Sequence, residues 1–320
     1  MKKTQRFLQK ELDIFENHFQ NSVKSKNRLL DKIMNFIIKR KGKQMRPMFV
    51  FLSAKLVGEV DDKVYRAASL IELLHTATLV HDDVVDEADQ RRGFFSINAL
   101  WKNKVAVLVG DYLLSKGLLL ALDNEDYQVL QIVSKAVKAM SEGELLQLEK
   151  SRKLNLDEEV YYEIIKGKTA SLLSSACSAG AWAASENTEM RDKLACFGEK
   201  IGIAFQIKDD LFDYGYDNIG KPTGIDIKEK KLTLPIIYTL NKVDKQKKRR
   251  LVQIIKKHNS DKNKVNELIE IVKEEGGLEY AEKAMYKYQN EALEILNSFE
   301  NSEAKECLLE LVNYVTHRKY

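Results

Sequence analysis

LVHDDVVDEADQRRG, Leu79–Gly93, holds three aspartates in a DDxxD arrangement, Asp82, Asp83 and Asp86, with Arg91 and Arg92 close behind. On a helix of about 3.6 residues per turn, Asp82 and Asp86 share one face a turn apart. Carboxylates at that spacing repel each other unless something positive lies between them. The preceding Leu70, Ile71, Leu73, Leu74, Ala77 and Val80 are apolar and recur at helical intervals. The spacing predicts a largely buried helix over Asp61–Asp86 that ends in the acidic cluster. Carboxylates rarely enter a core without a partner. One or two carboxylates, completed by water and phosphate oxygens, suit Mg²⁺, and adjacent guanidinium forks suit phosphate.

A second copy of the arrangement lies far downstream. FQIKDDLFD, Phe205–Asp213, places Asp209, Asp210 and Asp213 at the same spacing, again ending an apolar segment, Ile201–Ile207. One DDxxD is a weak signal, because acidic turns are common on solvated helix faces. Two, each closing a hydrophobic helix and each accompanied by basic residues, are hard to produce by accident. The simplest expectation is that they face each other across a cavity and hold divalent metals that in turn hold diphosphate.

The chain resembles the trans-polyprenyl diphosphate synthases, long-chain enzymes of the octaprenyl and heptaprenyl type, a family marked by two aspartate-rich motifs, the first followed by Arg-Arg. The resemblance covers about Lys39–Leu240. It rests on GKQMRP (Gly42–Pro47), ELLHTATLVHDDVVDEADQRRG (Glu72–Gly93), VLVGDYLLS (Val107–Ser115), GKTASLL (Gly167–Leu173), FQIKDDLFD and GKPTGIDIKEKKLTLP (Gly220–Pro235). It implies an all-α, single-domain helical bundle of the isoprenoid synthase type around a central cavity, over residues 1–320. It implies head-to-tail condensation of an allylic diphosphate with successive isopentenyl diphosphates, assisted by two or three Mg²⁺ ions, in a cytoplasmic homodimer.

Roles follow by matching positions. Asp82, Asp86 and Asp209 would ligate metal directly, with Asp83, Asp210 and Asp213 assisting through water or supporting contacts. Arg91, Lys168 and Lys231, with Lys221, would hold the allylic diphosphate; Lys43, Arg46, His75 and Arg92 would hold the isopentenyl diphosphate. The developing cation needs oxygen dipoles and no nucleophile, which fits Thr169 and Gln206, the latter three residues before Asp209 on the same helical face. No protein base is demanded, because the released diphosphate can take the proton. In the family the fifth residue before the first aspartate is bulky in short-chain enzymes. Here it is Ala77, with Thr78 beside it and Leu74 a turn lower, so a product longer than C15 is expected. His81 is read as structural.

Composition bounds the alternatives. The chain has 320 residues, 44% hydrophobic and 31% charged, with a net charge of +4, enough apolar residues for a substantial core. Three prolines and no Pro/Gly/Ser-rich linker argue for one domain. No dense basic stripe with interleaved aromatics suggests a nucleic-acid partner. Cys177, Cys196 and Cys307 lack CxxC spacing and are expected as buried, reduced thiols. The most apolar stretch, Val105–Leu122, is broken by Asp111 and Lys116, so no membrane span is expected, only transient membrane contact for product release.

Helical patterning runs over Thr4–Phe19, Ser22–Arg40, from near Pro47, Ala99–Leu122, Gln128–Arg152, from Leu156 onward, and Leu232–Leu240. Tyr214–Lys231 reads as a loop and candidate lid, and residues 245–320 as helices without a motif. Lys39, Arg40, Lys41, Lys43 and Arg46 crowd a loop and a helix start, where anions are favoured. A cyclising terpene synthase would replace the second DDxxD with a mixed Asn/Ser/Thr/Glu motif. A non-catalytic partner subunit would lose one motif or the basic residues. A helical scaffold leaves the basic residues unexplained. A geranylgeranyl or shorter-chain synthase stays open as a variant of the same chemistry.

Overall fold

A computed structural model describes residues 1–39, 42–86, 90–91, 94–153, 157–215 and 223–318. The helices are α1 (Lys2–Phe7), α2 (Gln9–Ser22), α3 (Arg28–Ile38), α4 (Met45–Val57), α5 (Asp62–Val85), α6 (Ile97–Leu122), α7 (Tyr127–Lys153) and α8 (Glu158–Ile165). They continue as α9 (Ser171–Ser185), α10 (Thr188–Phe212), α11 (Ile225–Lys228), α12 (Leu234–Lys242), α13 (Lys245–Lys257), α14 (Lys262–Glu274), α15 (Gly277–Asn297) and α16 (Glu303–His317). A two-residue antiparallel ladder pairs Gln90 with Phe95 and Arg91 with Phe94. The fold is all-α, as expected. Contacts divide the chain into two compact units, Met1–Val137 with Ser175–Ala195 and Phe299–Leu308, and Lys138–Ser174 with Cys196–Ser298 and Leu309–Tyr320.

In the first unit, α5 is the long buried helix the apolar spacing predicts. Asp61 caps it, its carboxylate accepting from the Val64 amide at 3.1 Å, which satisfies one of the open N–H groups of the first turn. Leu70, Ile71, Leu73 and Leu74 are almost wholly buried, each worth about 1.5–3 kcal/mol. α6 packs on α5 through small residues. A Cβ at Gly117 would sit 3.0 Å from Leu70 Cδ1, and one at Gly110 would overlap the His81 ring at 2.1 Å. The expected helix over Ser22–Arg40 is shorter, because Asn27 caps α3 by accepting from the Leu29 and Leu30 amides. The expected Thr4–Phe19 helix is broken at Leu8 (φ −96°, ψ 10°).

Two further expectations need correction. α6 is, by length and composition, apolar enough to cross a membrane: Asp111 and Lys116 do not shorten it below that threshold. Cys196 is exposed rather than buried, while Cys177 and Cys307 are buried and burial pushes the Cys177 thiol up to about 12.

In the second unit, α12 packs Leu234, Ile236 and Ile237 into a core shared with Leu278, Ala281 and Met285 of α15. Tyr238 stacks on Tyr280 at 4.2 Å, and the Tyr280 hydroxyl donates to Glu158 at 2.7 Å. Between α8 and α9 the chain forms a π-turn, Lys166–Ala170, an irregularity frequent at functional sites. Glycines let helices close on it. A Cβ at Gly143 of α7 would lie 2.9 Å from the Lys168 amide nitrogen, and one at Gly202 of α10 would lie 2.5 Å from Ala170 Cα. Backbone cannot yield as a flexible side chain can. Gly202→Ala is therefore expected to destabilise the protein by about 1–3 kcal/mol through overpacking, against the gain of about 1 kcal/mol that alanine ordinarily brings to a helix. Urea denaturation midpoints decide the sign, and a stabilised variant would contradict the close approach.

Candidate functional site

The end of α5 sorts its three aspartates by helical geometry. Asp82 is half-buried and Asp86 exposed, the Asp86 amide closing the last turn onto the Asp82 carbonyl at 2.8 Å. Asp83 points the other way and is 3% exposed. It lines a cavity of about 710 Å³ together with Glu72 and His75 of α5, Phe15 and Phe19 of α2, and Gln44. Gln44 holds a left-handed backbone (φ 51°, ψ 35°) immediately before α4, a conformation that costs a non-glycine residue of order 1 kcal/mol and clusters at binding sites. Its amide donates to Glu16 at 3.3 Å. Lys43 is exposed and Arg46 half-buried on either side of it. His75 is buried in the cavity wall, and Thr78 turns back onto the His75 carbonyl at 2.8 Å.

Ala77 is fully buried. It lies on the stripe of α5 that also carries Leu70, Leu74 and His81, the stripe met by Gly117 and Gly110 of α6. His81 Nε2 lies 3.2 Å from the Val107 carbonyl and 3.5 Å from Asp111. The Arg91 side chain, Arg92 and Lys221 lie outside the described residues, as do Arg40 and Lys41.

In the second unit the three aspartates of α10 and the turn after it have different partners. Asp209 is the most accessible, and its Oδ1 accepts from Arg318 at 2.6 Å. The Arg318 guanidinium lies over the Phe205 ring at 3.8 Å, which fixes its plane. Asp210 is buried and bonded at both oxygens, by Gln206 Nε2 at 2.9 Å and by the Tyr161 hydroxyl at 2.7 Å. Asp213 accepts from the Ile225 and Asp226 amides at 2.8 and 3.1 Å. Gly224, at φ +77°, turns the chain back so that its amide reaches the Asp213 carbonyl at 2.8 Å.

Burial pushes the carboxyls of Asp210 and Asp213 upward against their hydrogen bonds. Burial and then the Asp213 charge raise Asp226 to about 6. Excess negative charge of this kind is what a bound cation relieves.

The π-turn presents Lys168 and Thr169. Lys168 pairs with Glu144 and donates to Gln147 at 3.0 Å. Thr169 donates to Gln206 Oε1 at 2.7 Å. Lys231 pairs with Glu229 at 2.5 Å, and its amide bonds the Asp226 carbonyl at 2.8 Å.

Among the described residues no group of three or more His, Cys, Asp or Glu side chains forms a ready-made metal cage. Mg²⁺ does not need one: one or two carboxylates suffice when phosphate and water supply the rest. Asp82 with Asp86, and Asp209 with a cation already against it, fit that donor chemistry.

Five residues of this neighbourhood escaped the sequence reading. Asp226 stood in plain view inside GKPTGIDIKEKKLTLP. Tyr161 lies two turns before Lys168, a spacing the π-turn obscures. Glu144 and Gln147 sit on α7 with no motif around them. Arg318 follows α16, in a stretch without any motif, and only the folded chain brings it to Asp209.

Comparison with known proteins places these residues in a family. The family profile described as polyprenyl synthetase matches residues 27–272. The all-trans-nonaprenyl-diphosphate synthase (geranyl-diphosphate specific) of Rhodobacter capsulatus is 34% identical over 306 residues, 95% of this chain and 93% of the relative. Heptaprenyl diphosphate synthase component 2 of Geobacillus stearothermophilus is 30% identical, over 98% of each chain. The crystal structure of a polyprenyl synthase from Caulobacter crescentus, complexed with calcium and isoprenyl diphosphate, superposes with a TM-score of 0.91 at 30% identity, covering 100% of this chain and 98% of that one. Both aspartate motifs fall inside the matched span, and the likeness continues past it at either end: this chain belongs to the polyprenyl synthetase family of prenyl-transferring enzymes.

Proposed function

We propose that the protein condenses an allylic diphosphate with successive isopentenyl diphosphates to give a linear all-trans polyprenyl diphosphate longer than C15. The observation that carries this reading is the end of α5, where Asp82 and Asp86 face outward a turn apart while Asp83 and His75 line one cavity. The names of the two relatives, both makers of long prenyl chains, support the length.

Asp82, Asp86 and Asp209 would hold two or three Mg²⁺ ions, which would supply charge withdrawal from the leaving diphosphate. Arg91, Lys168, Lys221 and Lys231 hold that diphosphate as negative charge grows on it. Lys43, Arg46, His75 and Arg92 hold the isopentenyl diphosphate beside the cavity. Thr169 and Gln206 offer oxygen dipoles to the allylic cation, and the diphosphate takes the final proton.

The residues act as one catalytic domain of a cytoplasmic homodimer. Leu108 and Leu119, 59% and 51% exposed on α6, support cover by a second copy, and transient contact of that face with a membrane would aid product release. The likeness to a protein named component 2 favours a second reading, in which activity needs a different partner subunit. Incubation with farnesyl diphosphate, labelled isopentenyl diphosphate and Mg²⁺ separates the two. A long labelled lipid diphosphate from the protein alone supports the first, and labelling only on adding a partner supports the second.

Three outcomes follow from the assignments. Asp82→Ala is expected to abolish labelled-lipid formation while leaving the melting temperature unchanged or higher, since it removes like-charge repulsion; normal turnover would refute the metal role. Ala77→Tyr is expected to shorten the product on reversed-phase chromatography, and an unchanged length would dismiss Ala77 as the gate. The third concerns pH. The raised carboxyls bind protons more tightly in the folded than in the unfolded state, so the stabilisation is full below about pH 4 and is lost as pH rises through about 6. The metal-free protein should therefore melt higher at pH 5 than at pH 7.5, and Mg²⁺ with pyrophosphate should supply the missing stability at pH 7.5. Equal melting at both pH values without metal would contradict it.

A further inference from the structure

A chain of three hydrogen bonds runs from the interior of the second unit to Thr169. The Tyr161 hydroxyl donates to Asp210 Oδ2 at 2.7 Å, Gln206 Nε2 donates to Asp210 Oδ1 at 2.9 Å, and Thr169 Oγ1 donates to Gln206 Oε1 at 2.7 Å. Its inner end is sealed, with Tyr161 3% and Asp210 4% exposed, while Gln206 and Thr169 are half-buried.

Each bond has a direction that the next one inherits. The buried phenol stays protonated and donates a hydrogen bond to Asp210 Oδ2. With Asp210 ionised, both its oxygens accept, from Tyr161 and from Gln206 Nε2, which leaves the Gln206 carbonyl for Thr169. Thr169 has one proton, and it goes to that carbonyl. What remains on the Thr169 oxygen is lone-pair density.

We propose that Tyr161 is a positioning residue which, through Asp210 and Gln206, holds the Thr169 lone pairs toward the developing allylic cation. The proposal rests on the prenyl-transfer reading above. A hydroxyl free to rotate would at times turn its positive end toward the cation; one already oriented costs no reorganisation at the moment of reaction. Asp210, with both oxygens in side-chain bonds, serves in this scheme as the anchor of the chain, and metal ligation is left to Asp209.

The test is a double-mutant cycle in the full-length protein, with farnesyl diphosphate and labelled isopentenyl diphosphate as substrates. Calorimetric binding of Mn²⁺ with inorganic pyrophosphate is measured in parallel. Tyr161→Phe keeps the ring and removes the hydroxyl. It is expected to lower kcat about tenfold, the scale of one net hydrogen bond. The KM values and the Mn²⁺–pyrophosphate affinity should stay within about twofold. Thr169→Val should cost more, and adding Tyr161→Phe to it should cost nothing further. An equal loss from Tyr161→Phe in both backgrounds overturns the proposal.

Asp210→Asn provides a second arm should Tyr161→Phe fold poorly. Its amide gives a proton to Gln206 and reverses the chain, so kcat should fall while Mn²⁺–pyrophosphate affinity holds. A matching fall in that affinity would instead make Asp210 part of the metal site and overturn the proposal. Wild-type protein that transfers no prenyl group is a distinct result, one that removes the underlying reading.

Discussion

Asp209, Asp210 and Asp213 lie within about one helical turn, and electrostatics alone would either push such a group apart or protonate it. The fold answers each carboxylate differently. Asp213 is spent on the backbone of the following loop, Asp210 on two interior side chains, and Asp209 on the guanidinium of Arg318. Only Asp209 keeps substantial access to solvent, and its partner is a charge that a metal ion could replace. Specialisation of this kind explains why a motif of three identical residues supports one direct ligand in the proposed scheme.

The first motif reaches a similar division by simpler means. A continuous helix sends Asp82 and Asp86 outward and Asp83 inward because 3.6 residues make a turn. The burial of α5 behind them supplies the stiffness that holds two like charges a turn apart. Small residues on α6 let that helix approach closely, and Gly110 makes room for the His81 ring beside Asp82.

Much of this was legible in the chain. The apolar spacing before Asp82 gave α5 to within a residue at each end, and the two DDxxD motifs with their basic companions pointed to diphosphate chemistry. Boundaries failed where the signal was local and polar, as at Asn27, or where no sequence signal exists, as at Leu8. The π-turn at Lys166–Ala170 left no mark on the hydrophobic pattern, so Tyr161 fell out of phase with Lys168 and went unnoticed. Arg318 shows the deeper limit. Its partner is more than a hundred positions away, and only folding makes them neighbours. α6 meets a length-and-composition criterion for a membrane span despite Asp111 and Lys116, a criterion that core helices of soluble proteins also meet.

Both aspartate motifs are proposed to bind divalent cations that hold diphosphate. Anomalous scattering from crystals grown with Mn²⁺ and inorganic pyrophosphate tests it directly. Mn²⁺ peaks are expected at Asp82 and Asp86 and at Asp209, with pyrophosphate against them. Peaks at one motif only, or pyrophosphate bound away from both, would contradict it.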